Sequence, residues 1–349
     1  MILVVQGQLP HYRREFFNAL CSLDEVTVVH SGAQTKGQGD RFSEVLLPMR
    51  VLGPFRLQQD LDQLISELRP RTVIAMFDMR WLNSVRAMFS HDRKVNWVWW
   101  GLDQGRSKTA LRLKLMIARR SNPIVFYDNQ TRSSFEPLLP ADDRLFVANN
   151  TFHVSDRVES YLHPVKNRFI NVGSLDARKQ NDVTIRVLKK IRDETGESLM
   201  YTLIGDGSEK ERLLDLIDSL KMAESVELVG RIEDPEKLAR YYSEALASVS
   251  FGQAGLAVLQ SMAFGVPFVT KKNAISGGEK NNIAHKINGI VCSDDPESLE
   301  AALRKLIESP DYARKLGKEA YQYYSREATV ENMVENFERA ITWRESASA

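Results

Sequence analysis

Short apolar segments alternate with helical patterns along the whole of this 349-residue chain, and the series restarts once, at Phe169-Ile-Asn-Val-Gly173. A chain patterned this way builds parallel sheets wrapped by helices, because each parallel strand needs a long crossover to return to the same edge. In the first half, the apolar segments 2–6, 26–30, 72–77, 96–100, 124–127 and 145–148 predict strands. In the second half, strands are predicted at 168–172, 200–204, 226–229, 247–251, 267–270 and 289–291, with helices starting near Lys179, Ser208, Asp234, Gly255 and Glu279. The length suits about two domains. The reading is therefore α/β: two Rossmann-like domains facing across a cleft between their strand ends. A linker is expected in residues 155–167, around Pro164, so that residues 1–160 and 161–325 form the two domains. Helical patterns at 297–308, 312–324 and 330–343 close the chain. The last is amphipathic, through Val330, Met333, Val334, Phe337 and Ile341, and suited to packing on another surface.

The residue balance narrows the function classes. Residues 1–150 carry 20 Lys+Arg and 15 Asp+Glu, against 27 and 31 in the rest. The basic first half fits an anionic partner such as a phospholipid surface or lipid pyrophosphate, or ordinary scatter. Cys21 and Cys292 lie too far apart in sequence for a metal-ligand pair, and such sparse cysteine fits a reducing cytoplasm. The start, Met-Ile-Leu-Val-Val-Gln-Gly, lacks a basic signal-peptide region and reads as a strand. The longest apolar run, 95–102, is far short of the roughly 20 residues a membrane span needs.

Several turns carry candidate chemistry. Phe251-Gly-Gln-Ala-Gly-Leu-Ala-Val-Leu-Gln-Ser-Met-Ala-Phe-Gly-Val-Pro267 follows a strand and reads as a glycine turn opening a helix, whose first N–H groups suit a phosphate. Gly173-Ser-Leu-Asp-Ala-Arg-Lys179 also follows a strand; Arg178 and Lys179 there either neutralise a diphosphate or simply solvate a first helical turn. In Gly205-Asp-Gly-Ser-Glu-Lys-Glu211 the spacing of Ser208 and Glu211 predicts a capping box rather than a phosphate loop. In the first half, Gly7, Gln8 and His11 stand at the first strand-to-helix turn and Asp103 ends another strand, where they can meet an acceptor. Asp60-Leu-Asp62 falls in a helical pattern that points its carboxylates about 200° apart, so no metal site is predicted. Residues 106–120 read as a basic amphipathic helix, fit either for a core with a basic outer face or for an anionic bilayer. No nucleic-acid motif accompanies the charge.

The second half resembles the family 4 glycosyltransferases: GT-B fold, retaining, nucleotide-sugar-dependent. That family shows Gly-Arg-Leu-x-x-x-Lys where Gly173, Leu175 and Lys179 stand, with Ser174 in place of its arginine. Its signature Glu-Gly-x-Gly-(Leu/Met)-x-x-x-Glu-Ala-Met-Ala-x-Gly-x-Pro is matched by Gly255, Leu256, Met262, Ala263, Gly265 and Pro267. The two glutamates are replaced by Gly252 and Gln260. The resemblance implies a nucleotide base near Arg231 and Ile232, ribose hydroxyls on Gln260, and Gln253 standing in for the first glutamate. It places Glu279, in Gly277-Gly-Glu279, near the sugar hydroxyls or as a helix N-terminal charge, and Lys179 and Arg178 on the leaving diphosphate. It implies a helix at 326–349 that returns to the first domain, no metal, no cofactor beyond the nucleotide diphosphate sugar as substrate, and a glycan or lipid-linked acceptor at the cytoplasmic face of a membrane. Where related enzymes show Trp-Gly-His, Leu102 replaces the histidine. Two alternatives stay open: a partner subunit that binds nucleotide sugar without catalysis, and a nucleotide-sugar epimerase of the same architecture.

Overall fold

A computed structural model describes residues 1–34, 37, 39–90, 95–101, 107–120, 123–139, 144–154, 158–197, 199–232 and 234–347. The chain divides into two compact units, Met1–Thr151 with Val330–Ala349, and Phe152–Thr329.

In the first unit the strands are β1 (Ile2–Val5), β2 (Val26–His30), β3 (Ser43–Leu46), β4 (Met49–Leu52), β5 (Phe55–Gln58), β6 (Thr72–Met76), β7 (Asn96–Trp100), β8 (Ile124–Phe126) and β9 (Leu145–Val147). Seven of them form a parallel sheet in the order β3-β2-β1-β6-β7-β8-β9. Strands β1, β2 and β7 are buried at every residue, as a parallel sheet covered on both faces requires. Helices α1 (Arg14–Leu20), α2 (Leu61–Leu68), α3 (Leu82–Ser90), α4 (Lys108–Arg120) and α5 (Asn129–Phe135) supply the crossovers.

The terminal helix (Val330–Ala347) completes this unit: Phe337 packs 5.1 Å from both Phe16 and Trp100, and Asn96 Nδ2 donates to the Ile341 carbonyl at 2.7 Å. Three strands went unpredicted. β3 and the β4–β5 hairpin are largely exposed and lack an apolar run; the hairpin turns on Gly53, at φ +57, followed by Pro54. Asp60 also departs from the prediction. It stands outside α2, at φ +63, while Asp62 lies in the helix, 3.7 Å from Arg86 Nε.

The second unit holds β10 (Arg168–Val172), β11 (Met200–Ile204), β12 (Val226–Gly230), β13 (Ala245–Val249), β14 (Phe268–Lys271) and β15 (Gly289–Cys292), all parallel, in the order β12-β11-β10-β13-β14-β15. Its helices are α6 (Asn181–Thr195), α7 (Lys210–Ser219), α8 (Pro235–Ser243), α9 (Ala257–Ala263), α10 (Pro296–Glu308) and α11 (Pro310–Glu327). The described part of the expected linker belongs to this unit. Tyr161 is buried against Gly265, where a Cβ would meet its ring at 2.8 Å, and Val158 packs on the core around Phe264.

Two helix-start predictions are corrected. Ser208 caps nothing: α7 begins at Lys210 with Glu209 at its N-cap, and the Glu209 carboxylate takes Arg212 Nε instead. At Glu279 the chain makes only a short 3-10 turn, Glu279–Asn282, because Gly278 precedes it at φ +123 and the turn ends at Ile283 in extended backbone.

Candidate functional site

In a doubly wound sheet, ligands sit outside the carboxyl ends of the strands where the strand order reverses. In the second unit that point lies between β10 and β13. The loop after β10 is Gly173–Lys179 and the loop after β13 contains Gly252, so the two most specific sequence motifs meet there. They are joined directly: the Gly252 amide donates to the Lys179 carbonyl at 3.1 Å.

Lys179 closes a 3-10 turn (Ala177–Lys179) and is only 7% exposed, yet its ammonium makes no hydrogen bond or ion pair with any described residue. Burial draws its pKa below the ordinary lysine value; the Asp176 carboxylate opposes that, Arg178 adds to it, and Glu279 opposes it weakly. The ammonium lies 3.4 Å from where a Cβ on Gly173 would stand, and Gly173 itself takes φ +141. Arg178 behaves differently. Its side chain is 59% exposed and held by Asp176, Nη2 to Oδ2 at 2.7 Å. The Arg178 bonds, with a hydrogen bond from Ser174 Oγ, hold the Asp176 carboxyl down to about 2 against the opposing effect of burial. The second positive charge expected from Arg178 is thus already neutralised by its neighbour.

The Gly205-Asp-Gly207 loop supports this arrangement from below. A Cβ on Gly205 would stand 1.8 Å from the Gly173 carbonyl oxygen, and one on Gly207 would stand 2.3 Å from the Leu175 carbonyl oxygen. Leu175 N–H donates to Asp206 O, and Glu209 N–H to Leu175 O. These glycines let one loop carry the other.

At the second loop, the place of the family's first glutamate is closed. A Cβ on Gly252 would stand 2.2 Å from the Arg178 carbonyl oxygen and 2.7 Å from Gln180 Cγ. Gln180, at φ +57, fills that space and accepts a hydrogen bond from Lys271 Nζ at 2.9 Å. Neither Gln180 nor Lys271 was singled out in the sequence, since only the fold brings them beside Gly252. Gln253 buries its Oε1 with no hydrogen-bond partner among the described residues, and its backbone bridges to Ile275. Gly255 is open: a Cβ there would have no heavy atom within 4 Å. Leu256 N-caps α9 with no side-chain cap. Gln260 is 8% exposed, and its carboxamide makes no hydrogen bond with a described residue. Glu279 Oε2 accepts the Gly277 amide at 3.1 Å. Arg231 is exposed just past β12, and Ile232 packs against the core around Tyr242.

The steric closure at Gly252 gives a prediction. Gly252→Glu restores the family signature on paper, yet it is expected to lower the melting temperature and not to raise transfer; a stable variant with raised turnover would contradict the packing described.

In the first unit, Gly7 follows β1, and a Cβ there would stand 2.6 Å from the Trp81 ring. Gln8 and His11 are exposed, with His11 edge-on to Tyr12. Asp103 and Leu102 lie outside the described residues. α4 buries Ile117 and Ala118 and exposes Arg112, Leu113, Met116 and Arg119. Among the described residues no helix is long and apolar enough to cross a membrane, and no three His, Cys, Asp or Glu side chains are grouped to hold a metal ion.

Glycine loops at a strand-order reversal are where doubly wound α/β sheets receive nucleotide phosphates. Residues 156–323, within the second unit, match the family model of the glycosyl transferases group 1. An uncharacterized glycosyltransferase of Haemophilus influenzae is 24% identical over 292 residues, covering 81% of this chain and 79% of the relative. The structure of Anabaena HepE in complex with UDP is similar at a TM-score of 0.73 and 16% identity, over 98% of this chain and 99% of that one. The lipopolysaccharide outer core galactosyltransferase WaaB is similar at a TM-score of 0.72 and 13% identity, over 98% and 99%. The fold is GT-B, with two Rossmann-like domains.

Proposed function

We propose that this chain is a retaining, metal-independent glycosyltransferase of family 4. It moves a hexosyl group from a nucleotide diphosphate donor to a hydroxyl of a glycan or lipid-linked acceptor in cell-surface polysaccharide synthesis. The observation that carries this reading is Lys179: a buried lysine at the strand-order reversal whose ammonium bonds no described residue, in a segment that matches the family model. A buried ammonium that no carboxylate pairs at hydrogen-bond distance is costly, and an anionic ligand would offset that cost. The UDP bound by HepE, a protein of the same fold, supports a nucleotide diphosphate as that ligand.

In the proposed reaction the bond from the anomeric carbon to the diphosphate breaks and a bond to the acceptor oxygen forms on the same face. The departing phosphate takes the hydroxyl proton. Lys179 stabilises the charge developing on the diphosphate; Arg178, already paired with Asp176, contributes less. Gln260 offers its free carboxamide oxygen to the ribose hydroxyls, with Arg231 and Ile232 beside the base and Glu279 toward the sugar. The basic face of α4 is the proposed contact with an anionic membrane surface.

Two outcomes follow. Gln260→Ala is expected to weaken donor binding by about 0.5–1.5 kcal/mol, one hydrogen bond, and Gln260→Glu to match or exceed the parent; donor titrations in which Gln260→Ala binds like the parent exclude the ribose role. Turnover is expected to survive EDTA, and loss of activity that magnesium or manganese restores would overturn the metal-free mechanism.

A second reading has its own support. The filled space at Gly252 removes a side chain that the family keeps, which favours a partner subunit that binds nucleotide sugar without transferring it. UDP release on mixing donor with acceptor separates the two.

A further inference from the structure

The first unit has a strand-order reversal of its own, between β1 and β6. The loop after β1 leads into a 3-10 turn (His11–Arg13), and there Arg13 is only 8% exposed. Its Nη1 donates to Gln6 Oε1 at 2.5 Å and its Nη2 to Tyr127 Oη at 3.0 Å. Its guanidinium lies 4.3 Å from the centre of the Trp100 ring. Its Nε and the Gln6 Nε2 are buried with no hydrogen-bond partner among the described residues. No carboxylate of a described residue pairs with it, whereas the adjacent Arg14 pairs with Asp40. The side chains acting on its charge are the hydroxyls of Tyr127 and Tyr12. An arginine cannot shed its proton to relieve burial. A guanidinium held in place by neutral partners, with donors unused, is organised to receive a negative group.

We propose that Arg13, positioned by Gln6 and Tyr127, is an oxyanion subsite of the first unit that takes a phosphate or carboxylate group of the acceptor. As an acceptor subsite it rests on the transferase reading; as an anion site it does not. The chemistry fits either a lipid-linked pyrophosphate or an acidic sugar, and the test separates them.

Inorganic pyrophosphate and glucuronate are titrated by calorimetry, in phosphate-free buffer, into the full chain carrying Lys179→Ala, so that the second unit's cation does not report. The same titrations are made with Arg13→Met added, or Arg13→Gln should the methionine variant not fold. Saturable binding that falls at least tenfold without Arg13 is the expected result. Binding of pyrophosphate alone assigns the phosphate, and binding of glucuronate alone the carboxylate; binding of both assigns a general oxyanion site. No binding of either anion, or equal binding with and without Arg13, overturns the proposal. UDP titrated into the parent chain tests the transferase reading separately, because its failure leaves these results unchanged.

Discussion

Lys179→Ala is expected to weaken UDP binding by about 10- to 100-fold and to cut transfer at least as much, because one charge-assisted contact is worth about 1.5–3 kcal/mol. The side chain makes no hydrogen bond or ion pair with a described residue, so its removal disturbs little else. The pH dependence sharpens the test. With its folded-state pKa lowered by burial, the amine loses its proton at a pH where the unfolded chain still keeps one. Between the folded and unfolded values the unfolded state binds more protons, so Lys179's contribution makes the ligand-free protein more stable as pH rises. UDP affinity should move the other way and fall across the same window as the ammonium is lost. Lys179→Ala should flatten both trends, as thermal melts and UDP titrations along a pH series will show. A parent-like affinity in a folded variant removes Lys179 from the site.

Gly205→Ala is expected to destabilise the second unit by about 3 kcal/mol or more. The position holds φ +148, which disfavours any side chain, and the added carbon falls 1.8 Å from the Gly173 carbonyl oxygen. Relief of that overlap moves the loop that carries Lys179, so UDP affinity should drop with stability. Denaturant unfolding decides it, and a variant within about 0.5 kcal/mol of the parent, the range of an ordinary surface change, would contradict the packing.

The strands were legible wherever burial on both faces forces a continuous apolar run, as in Val26–His30 or Asn96–Trp100. They were hidden where no core constrains composition: Met49–Leu52 is exposed at all four residues, and its alternation is too short to mark a strand by itself. Lys179 was visible because a strand, a glycine and a basic residue at fixed spacing leave few alternatives. Arg178 illustrates the limit. Its charge is evident in the sequence, but its pairing depends on the turn that brings Asp176 beside it. Gly252 reads in the sequence as a missing glutamate; the fold shows a glycine required by Arg178 and Gln180. Arg13 was one basic residue of two, distinguished from Arg14 only by the strands around it.

A crystal structure of the full chain with UDP tests the central claim most directly. The account predicts diphosphate oxygens within hydrogen-bond distance of Lys179 Nζ and ribose hydroxyls on the Gln260 carboxamide. UDP seated away from the loops after β10 and β13, or a diphosphate held without Lys179, would contradict it.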